Sequence, residues 1–209
     1  MSRSAIDLLK SDHREVERLF EQYRNAKRRE QRGNLIERIA AALTAHAILE
    51  EQIFYPACRQ HGVDEDELQE AQVEHDSVKL LVRELLEGRL DEDYYDAKVT
   101  VLSEYVSHHV KEEENPKDGI FARAEKSGLD LEALGEELEE LKEHLMDDEE
   151  HLLSQPPRFR SLRLGRSQRM ATPQSRPESR TVQEVRAGWY ERPEDRSENE
   201  RSHWRHRPH

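Results

Sequence analysis

The stretch HAILEEQIFYPA, residues 46–57, has the apolar periodicity of a helix but carries two polar side chains on its apolar face. Ile39 and Leu43 precede it on that face, and His46 and Glu50 continue it at helical intervals. A buried carboxylate without a partner costs several kcal/mol, and a buried imidazole loses its hydrogen bonds to water. The stretch therefore predicts a helix whose buried face needs a binding partner for His46 and Glu50.

The same arrangement recurs on three further helical stripes. His13, His75 and His109 each fall in the apolar register of a different stripe, and Glu113 follows His109 by one turn. Two carboxylates and four imidazoles in one core require a cationic partner, because buried like charges repel. None of the positions in register on these stripes is a lysine or an arginine, and Lys79, one turn after His75, brings only a single charge. We therefore predict a metal site, and a metal-free hydrogen-bonded network is the alternative.

The types of donor atom narrow the choice of metal. Imidazole nitrogens and carboxylate oxygens without thiolates favour iron, manganese or zinc. Six ligands exceed what one ion usually takes from a protein, whereas two ions bridged by Glu50 and Glu113 use all of them. Of about twelve octahedral positions on two ions, the imidazoles and bridging carboxylates fill about eight. We therefore expect a site that is open to a small molecule.

The apolar stripes as a whole predict an all-α fold. They cover residues 6–23, 35–54, 68–85, 99–110 and 131–145. Pro56 is expected to end the second helix, because proline has no backbone N–H to donate. Four helices of about 20 residues with short polar connections predict an antiparallel up-down-up-down four-helix bundle. The fifth helix, at about residues 130–152, would pack outside the bundle or at one end.

Charge divides the 209-residue chain into two parts. Residues 154–209 contain 13 arginines, no lysine and 7 acidic residues, a local charge of +6, whereas residues 1–153 carry a charge of −19. The basic part is rich in arginine, proline and serine and poor in apolar residues, which is typical of disorder. We therefore expect a folded unit over residues 1–153, with its core at 4–124, and a disordered tail over 154–209.

Composition also restricts location and partners. The formal net charge of −13 argues against nucleic acid as a partner of the core. No run of about 18 apolar residues is present, so we expect no membrane span and no signal peptide. The single cysteine, Cys58, excludes an intramolecular disulfide and is typical of a cytoplasmic protein. The sequence identifies no partner for the tail.

Four motifs together resemble the hemerythrin-like HHE cation-binding domain family: LLKSDHREVERLF, HAILEEQIFYPA, EHDSVKLLVREL and YVSHHVKEEENPKDGIFARA. They span residues 6–124 in the family's order. The resemblance implies an antiparallel four-helix bundle around a non-haem di-iron centre, with two iron ions as cofactor. Carried over by position, it implies the metal ligands His13, His46, Glu50, His75, His109 and Glu113.

One position departs from the oxygen-carrying members of this family. They have a further histidine one turn after the histidine of the third helix, where this chain has Lys79. A protonated lysine cannot bind a metal, so one ion would keep a position for solvent or another side chain. The candidates are Glu74, Glu112, Tyr55 and Tyr105. The departure disfavours reversible oxygen carriage and favours sensing or redox chemistry.

Two local assignments depend on helical register. His108 and Glu112 have the same spacing as His109 and Glu113, but only the second pair continues a wholly aliphatic stripe, so we prefer it. Glu114 is a weaker alternative to Glu113. By the same criterion Glu51 leaves the buried stripe of its helix, and we expect its side chain to be in solvent.

Family members bind dioxygen, respond to oxygen or iron, or act on peroxide and nitric oxide. We therefore expect a protein that binds or senses oxygen or a related small ligand at a carboxylate-bridged di-iron centre. The alternative is a di-iron redox enzyme that acts on oxygen, peroxide or nitric oxide. The sequence leaves enzymatic activity open but shows no separate catalytic acid or additional cofactor motif.

Overall fold

The computed structural model describes residues 3–162, and within this range the chain is helical and contains no β-strand. The α-helices of this range are α1 (Ala5–Asn25), α2 (Arg29–Leu49), α3 (Tyr55–Gln60), α4 (Glu65–Glu87), α5 (Tyr95–Glu113), α6 (Ile120–Lys126), α7 (Leu131–Met146) and α8 (Glu149–Ser154), and a π-helical turn, Glu50–Phe54, joins α2 to α3. The predicted all-α class is confirmed for these residues. None of these helices is both long enough and apolar enough to cross a membrane.

The four long helices contact one another in a ring. α1 packs against α2 and α5, and α4 packs against the same two helices. α7 lies against α1, α2 and the π-helical turn. The helical piece expected at about 130–152 is therefore present as α7 and α8, with a break between Met146 and Glu149.

Two apolar clusters fill the interior of the ring, and a polar layer separates them. The first apolar cluster includes Val16, Leu43, Val78 and Val106, and the second includes Leu9, Leu49, Phe54, Ala71 and Phe121. On α1, α2 and α4 the predicted ligand histidine lies in sequence between a residue of one cluster and a residue of the other. The burial of these clusters stabilises the fold on both sides of the polar layer.

The chain does not leave its helical course at Pro56, so the prediction that this proline ends the helix is wrong. In a regular α-helix the proline ring would collide with the carbonyl four residues back. Here the N–H of Tyr55 bonds to the carbonyl of Glu50, five residues back, in the wider π-helical turn. This turn accommodates Pro56 and lets the helix continue to Gln60.

The described part of the chain extends beyond the boundary predicted at residue 153. Residues 155–162 follow α8 without helical structure, and the backbone of residues 160–162 is bound by Asp76 on α4. These residues belong to the segment 154–209 that was assigned to the tail. Residues 163–209 lie outside the described residues, and their predicted disorder stays a prediction.

Candidate metal centre

The four predicted histidines meet in the polar layer as two pairs. The Nε2 atoms of His13 and His46 are 3.1 Å apart, and we call these residues the α1–α2 pair. The Nε2 atoms of His75 and His109 are 3.2 Å apart and form the α4–α5 pair. All four residues are buried. The same ring nitrogen of each histidine therefore faces one common centre.

The two predicted glutamates lie between these pairs and are buried with them. Glu50 Oε2 is 3.2 Å from Nε2 of His46 in the α1–α2 pair and 3.2 Å from Nε2 of His75 in the α4–α5 pair. Glu113 Oε2 is 3.4 Å and 3.3 Å from the remaining Nε2 atom of each pair. Each carboxylate thus contacts one histidine of the α1–α2 pair and one histidine of the α4–α5 pair.

Several atoms of this layer have no hydrogen-bond partner. Glu50 Oε1, Glu113 Oε2 and His46 Nδ1 are buried without one. Such groups are costly inside a protein unless they bind something. The ligand atoms of the six residues form two sets, and within each set all atoms lie within 4.8 Å of one another. The first set is His13, His46, His109 and Glu113, and the second is Glu50, His75 and His109. The donor set fits a metal ion in both places.

The alternative register on α5 is outside the centre. The side chain of His108 is 63% exposed, and it pairs with Glu112 on the surface at 3.2 Å. His109 and Glu113 are the buried members of this helix that reach the polar layer. The structure therefore places the preferred register inside, because only these two positions continue the stripe of Leu102 and Val106.

Four residues were candidates for the coordination position that Lys79 leaves open, and of these Tyr55 contacts both carboxylates of the centre. Its hydroxyl donates to Glu113 Oε1 at 2.8 Å, and its oxygen is 3.2 Å from Glu50 Oε2. Burial and the two carboxylates raise the pKa of Tyr55 well above 10. Of the other candidates, Tyr105 is 48% exposed, Glu112 pairs with His108 on the surface, and Glu74 contacts the outer nitrogen of His109.

A carboxylate faces the outer ring nitrogen, Nδ1, of every histidine in the centre. The distances are 2.7 Å for His13 with Glu114, 3.1 Å for His75 with Glu51, 2.8 Å for His109 with Glu74, and 3.7 Å for His46 with Asp12. Carboxylates in this position fix the orientation of a ligand histidine and make it more basic. Glu114 and Glu74 therefore contact the outer nitrogens of His13 and His109 and not their Nε2 atoms.

Each of these outer carboxylates is itself paired with a basic group. Arg14 binds Glu114, Lys142 binds Asp12, Lys79 and Arg160 bind Glu51, and His108 lies 3.6 Å from Glu74. The polar layer is therefore connected to the surface by four chains of alternating histidine, carboxylate and basic group. These chains hold the Nε2 atoms on the centre.

Sequence reasoning did not find the role of the outer carboxylates, although a signal is present: Glu74 and Glu114 were named only as alternative ligands, and Glu51 was expected in solvent. Each one is adjacent in sequence to a predicted ligand: Asp12 to His13, Glu51 to Glu50, Glu74 to His75 and Glu114 to Glu113. Each, however, serves a histidine on a different helix. The pairing crosses the bundle, so it depends on helix packing and not on the periodicity of one helix.

The expectation that the side chain of Glu51 lies in solvent is wrong. This side chain is only 7% exposed, and it contacts His75 and Lys79. In the π-helical turn consecutive side chains are spread by a smaller angle than in an α-helix. Glu50 and Glu51 can therefore both face inward.

Lys79 does not contact any of the six predicted ligands. Its Nζ atom donates to Glu51, to Asp76 Oδ1 at 3.3 Å and to the carbonyl of Arg158 at 3.1 Å. The lysine therefore neutralises carboxylates beside the centre.

In the metal-free centre the pKa values of His46, His109 and Glu113 are shifted so that these groups are charged and form ion pairs. Burial disfavours the charged form of His46, but Glu50 and Asp12 outweigh it and raise its pKa to about 10. Burial likewise opposes a charge on His109, yet Glu113 and Glu74 raise its pKa well above the usual value. Burial and Glu50 act to raise the pKa of Glu113, but His109 and His13 lower it to about 2. A metal ion must displace protons from these imidazoles.

A small cavity adjoins the four histidines on the side of the first apolar cluster. Its volume is about 20 Å³, and its non-histidine lining consists of Val16, Leu43, Ala47, Val78, Val106 and Val110. The carboxylates and Tyr55 are not part of this lining. The cavity therefore offers an apolar space for a molecule of very few atoms next to the Nε2 atoms.

The end of α5 is fixed by a close approach of the chain. A Cβ atom at Gly119 would lie 2.5 Å from the carbonyl oxygens of Glu112 and Glu113. Only glycine allows the segment before α6 to fold over the helix end that carries Glu113.

The fold and the centre together define a helical metal-binding protein. Residues 4–116 match the family model described as the Hemerythrin HHE cation binding domain, which is more than half of the chain. The chain therefore belongs to the hemerythrin HHE cation-binding domain family, and the resemblance found in the motifs is confirmed. Comparison with curated proteins and with solved structures gave no match.

Proposed function

We propose that this chain holds two iron ions in a non-haem, carboxylate-bridged centre and binds or senses oxygen or a related small ligand there. One observation carries the proposal: Glu50 and Glu113 each contact one histidine of both pairs. A carboxylate in that position can bridge an ion held by the α1–α2 pair and an ion held by the α4–α5 pair. The ligands are then His13, His46, Glu50, His75, His109 and Glu113.

Nitrogen and oxygen donors suit iron, and the chain offers no competing thiolate. Cys58 is buried, and burial together with Glu113 and Glu50 raises the pKa of its thiol to about 12. The thiol therefore keeps its proton. Manganese and zinc prefer the same donors. We choose iron because the resemblance is to family members that hold a di-iron centre.

The order of the apolar clusters along the helices supports an antiparallel bundle as the scaffold of this centre. α1 and α4 run from the second cluster through the histidine to the first, and α2 runs from the first to the second. α5 begins in the first cluster and leads to α6 in the second. This alternation is what an up-down-up-down arrangement requires.

The apolar cavity supports a small, uncharged ligand. A volume of about 20 Å³ next to the imidazoles is suited to a molecule of very few atoms, such as a diatomic one. Two iron ions, when bound, would supply electrons and coordination positions to such a ligand. The valines and Leu43 make this side of the centre apolar. A cytoplasmic location stays a prediction.

The alternative function, a redox enzyme acting on oxygen, peroxide or nitric oxide, is favoured by one observation. Reduction of these molecules consumes protons, and Tyr55 keeps a proton at the carboxylates of the centre. Its hydroxyl is held between Glu50 and Glu113.

The two functions are separated by mixing reduced, iron-loaded protein with oxygen, peroxide or nitric oxide under anaerobic control. One reversible optical change per centre supports binding or sensing, whereas many turnovers support the enzyme. Purified protein without stoichiometric iron, whose melting temperature is unchanged after chelation, would contradict both functions.

A further inference from the structure

Residues 158–162 are attached to α4 by one buried carboxylate. Asp76 Oδ2 accepts the N–H groups of Arg160 at 2.8 Å, Ser161 at 2.6 Å and Leu162 at 3.2 Å. The hydroxyl of Ser161 donates to the same oxygen at 2.7 Å. Asp76 is fully buried. We call residues 158–162 the C-terminal strap.

The strap has a second attachment next to the first. Arg160 Nε lies 3.2 Å from Glu51 Oε2, and Lys79 Nζ donates to the carbonyl of Arg158 at 3.1 Å. Lys79 also donates to Asp76 and Glu51. Lys79 and Arg160 therefore neutralise the carboxylates of Asp76 and Glu51 where the strap meets α4.

This attachment leads directly to the centre. Glu51 binds Arg160 through one oxygen and His75 Nδ1, at 3.1 Å, through the other. His75 Nε2 in turn faces Glu50 and His109. The guanidinium of the strap is thus two contacts away from a predicted metal ligand.

Successive backbone N–H groups that converge on one anion form a specific binding arrangement. If the strap left, Asp76 Oδ2 would lose four donors, and only the contacts of Oδ1 with Lys79 and Gln72 would remain. Glu51 would lose Arg160 at the same time. Release of the strap would therefore remove contacts from both Asp76 and Glu51.

We propose that Asp76, Lys79 and Glu51 form a docking site for the C-terminal strap and that docking is coupled to metal binding at the α4–α5 pair. The docked strap holds Arg160 on Glu51, and Glu51 holds the ring of His75. A metal on His75 fixes Glu51 and so strengthens docking, since such coupling is reciprocal. Any event that moves the tail away from α4 would then weaken metal retention. The coupling rests on the proposed function, whereas the docking does not.

Docking is tested on metal-free, full-length protein by amide hydrogen exchange. We expect the amides of Arg160, Ser161 and Leu162 to exchange at least about tenfold more slowly than that of Gln155, because they are hydrogen-bonded. Ser161→Glu places a negative charge against Asp76 and should remove this protection. Ser154→Glu introduces the same charge at another exposed serine and should leave it unchanged. Equal exchange rates in Ser161→Glu and wild-type protein would overturn the docking site.

Coupling is tested by the rate at which loaded protein loses metal to a chelator. Arg160→Gln removes the contact with Glu51, and we expect metal loss from one of the two positions to be several-fold faster. Arg158→Gln is the matched control, because the side chain of Arg158 is exposed and its hydrogen bond with Lys79 is made by the backbone carbonyl. Loaded protein should also protect the three strap amides more than metal-free protein does.

Equal rates of metal loss in the two arginine variants would overturn the coupling. Protein that binds no metal at all would overturn the proposed function and the coupling together. The exchange experiment would still decide the docking site in that case, so the two failures are distinguishable.

Discussion

Glu113 lies one turn after His109 on α5, and its Oε2 atom is 3.3 Å from Nε2 of that histidine. The same spacing on the same helix produces only a surface pair at His108 and Glu112. The two neighbouring pairs therefore allow the buried centre to be tested against a control of identical chemistry.

The histidine variants of α5 give the first prediction. His109→Gln removes a ligand of the α4–α5 pair, and we expect at least one metal ion per chain to be lost. His108→Gln changes a side chain that is 63% exposed and is not one of the six predicted ligands, so its metal content should stay above that of His109→Gln. Elemental analysis of the two purified variants measures both. Equal metal content would contradict the assignment of His109.

Stability against pH gives the second prediction, and its sign follows from the raised pKa of His46. Without metal the folded chain keeps this proton up to about pH 10, whereas an unfolded histidine loses it near 6.5. The stabilisation is complete below about pH 6.5 and is lost as pH rises toward 10. Bound metal replaces the proton, so loaded protein should not show this loss.

Urea unfolding of metal-free and loaded protein between pH 6.5 and 9 measures the difference. In the metal-free chain Glu113 adds an acid limb, since its stabilisation is present above about pH 4.5 and is lost as pH falls toward about 2. A free energy of unfolding that is independent of pH in the metal-free chain would contradict the charged state derived for His46.

Tyr55→Phe gives the third prediction. The variant keeps the ring stacked on His75 but leaves Glu113 Oε1 without its donor. Losing a hydrogen bond to a buried charged group should lower the free energy of unfolding by about 1.5–3 kcal/mol. Tyr105→Phe is the control, because Tyr105 is 48% exposed and should change stability by less than about 0.5 kcal/mol. Similar values for the two variants in urea unfolding would refute the role given to Tyr55.

Gly119→Ala gives the fourth prediction. The added Cβ would meet two carbonyl oxygens at 2.5 Å, so the end of α5 that carries Glu113 must move. We expect a lower melting temperature and faster metal loss. Gly33→Ala in α2 meets only Leu90 Cδ1 at 3.5 Å and should be neutral or stabilising by up to about 1 kcal/mol. Thermal unfolding with and without metal compares the two, and identical shifts would contradict the constraint at Gly119.

Periodicity was sufficient to predict the helices and the six central residues, because it depends on neighbours within one helix. His46 and Glu50 are recognisable from Ile39 and Leu43 alone. The role of the outer carboxylates was missed because Glu51 and its counterparts bind histidines on other helices. The contact between Asp76 and the strap joins residues more than eighty positions apart, which no local pattern contains.

The π-helical turn explains the remaining errors. In a regular α-helix the side chain of Glu51 would point into solvent, and the helix would end at Pro56. One wider turn at Glu50–Phe54 reverses both expectations. The hydroxyl of Tyr55 contacts Glu50 in the centre, and the sequence pattern does not indicate the turn that connects these two residues.

Anaerobic titration of metal-free, full-length protein with ferrous iron tests the central claim most directly. Binding should saturate at about two ions per chain and release protons from the imidazoles, and Glu113→Ala should reduce the stoichiometry below two. Glu112→Ala, its exposed neighbour, should bind as the wild-type protein does. Saturation at one ion or none, or the same stoichiometry in the Glu113→Ala variant, would contradict a carboxylate-bridged pair of metals.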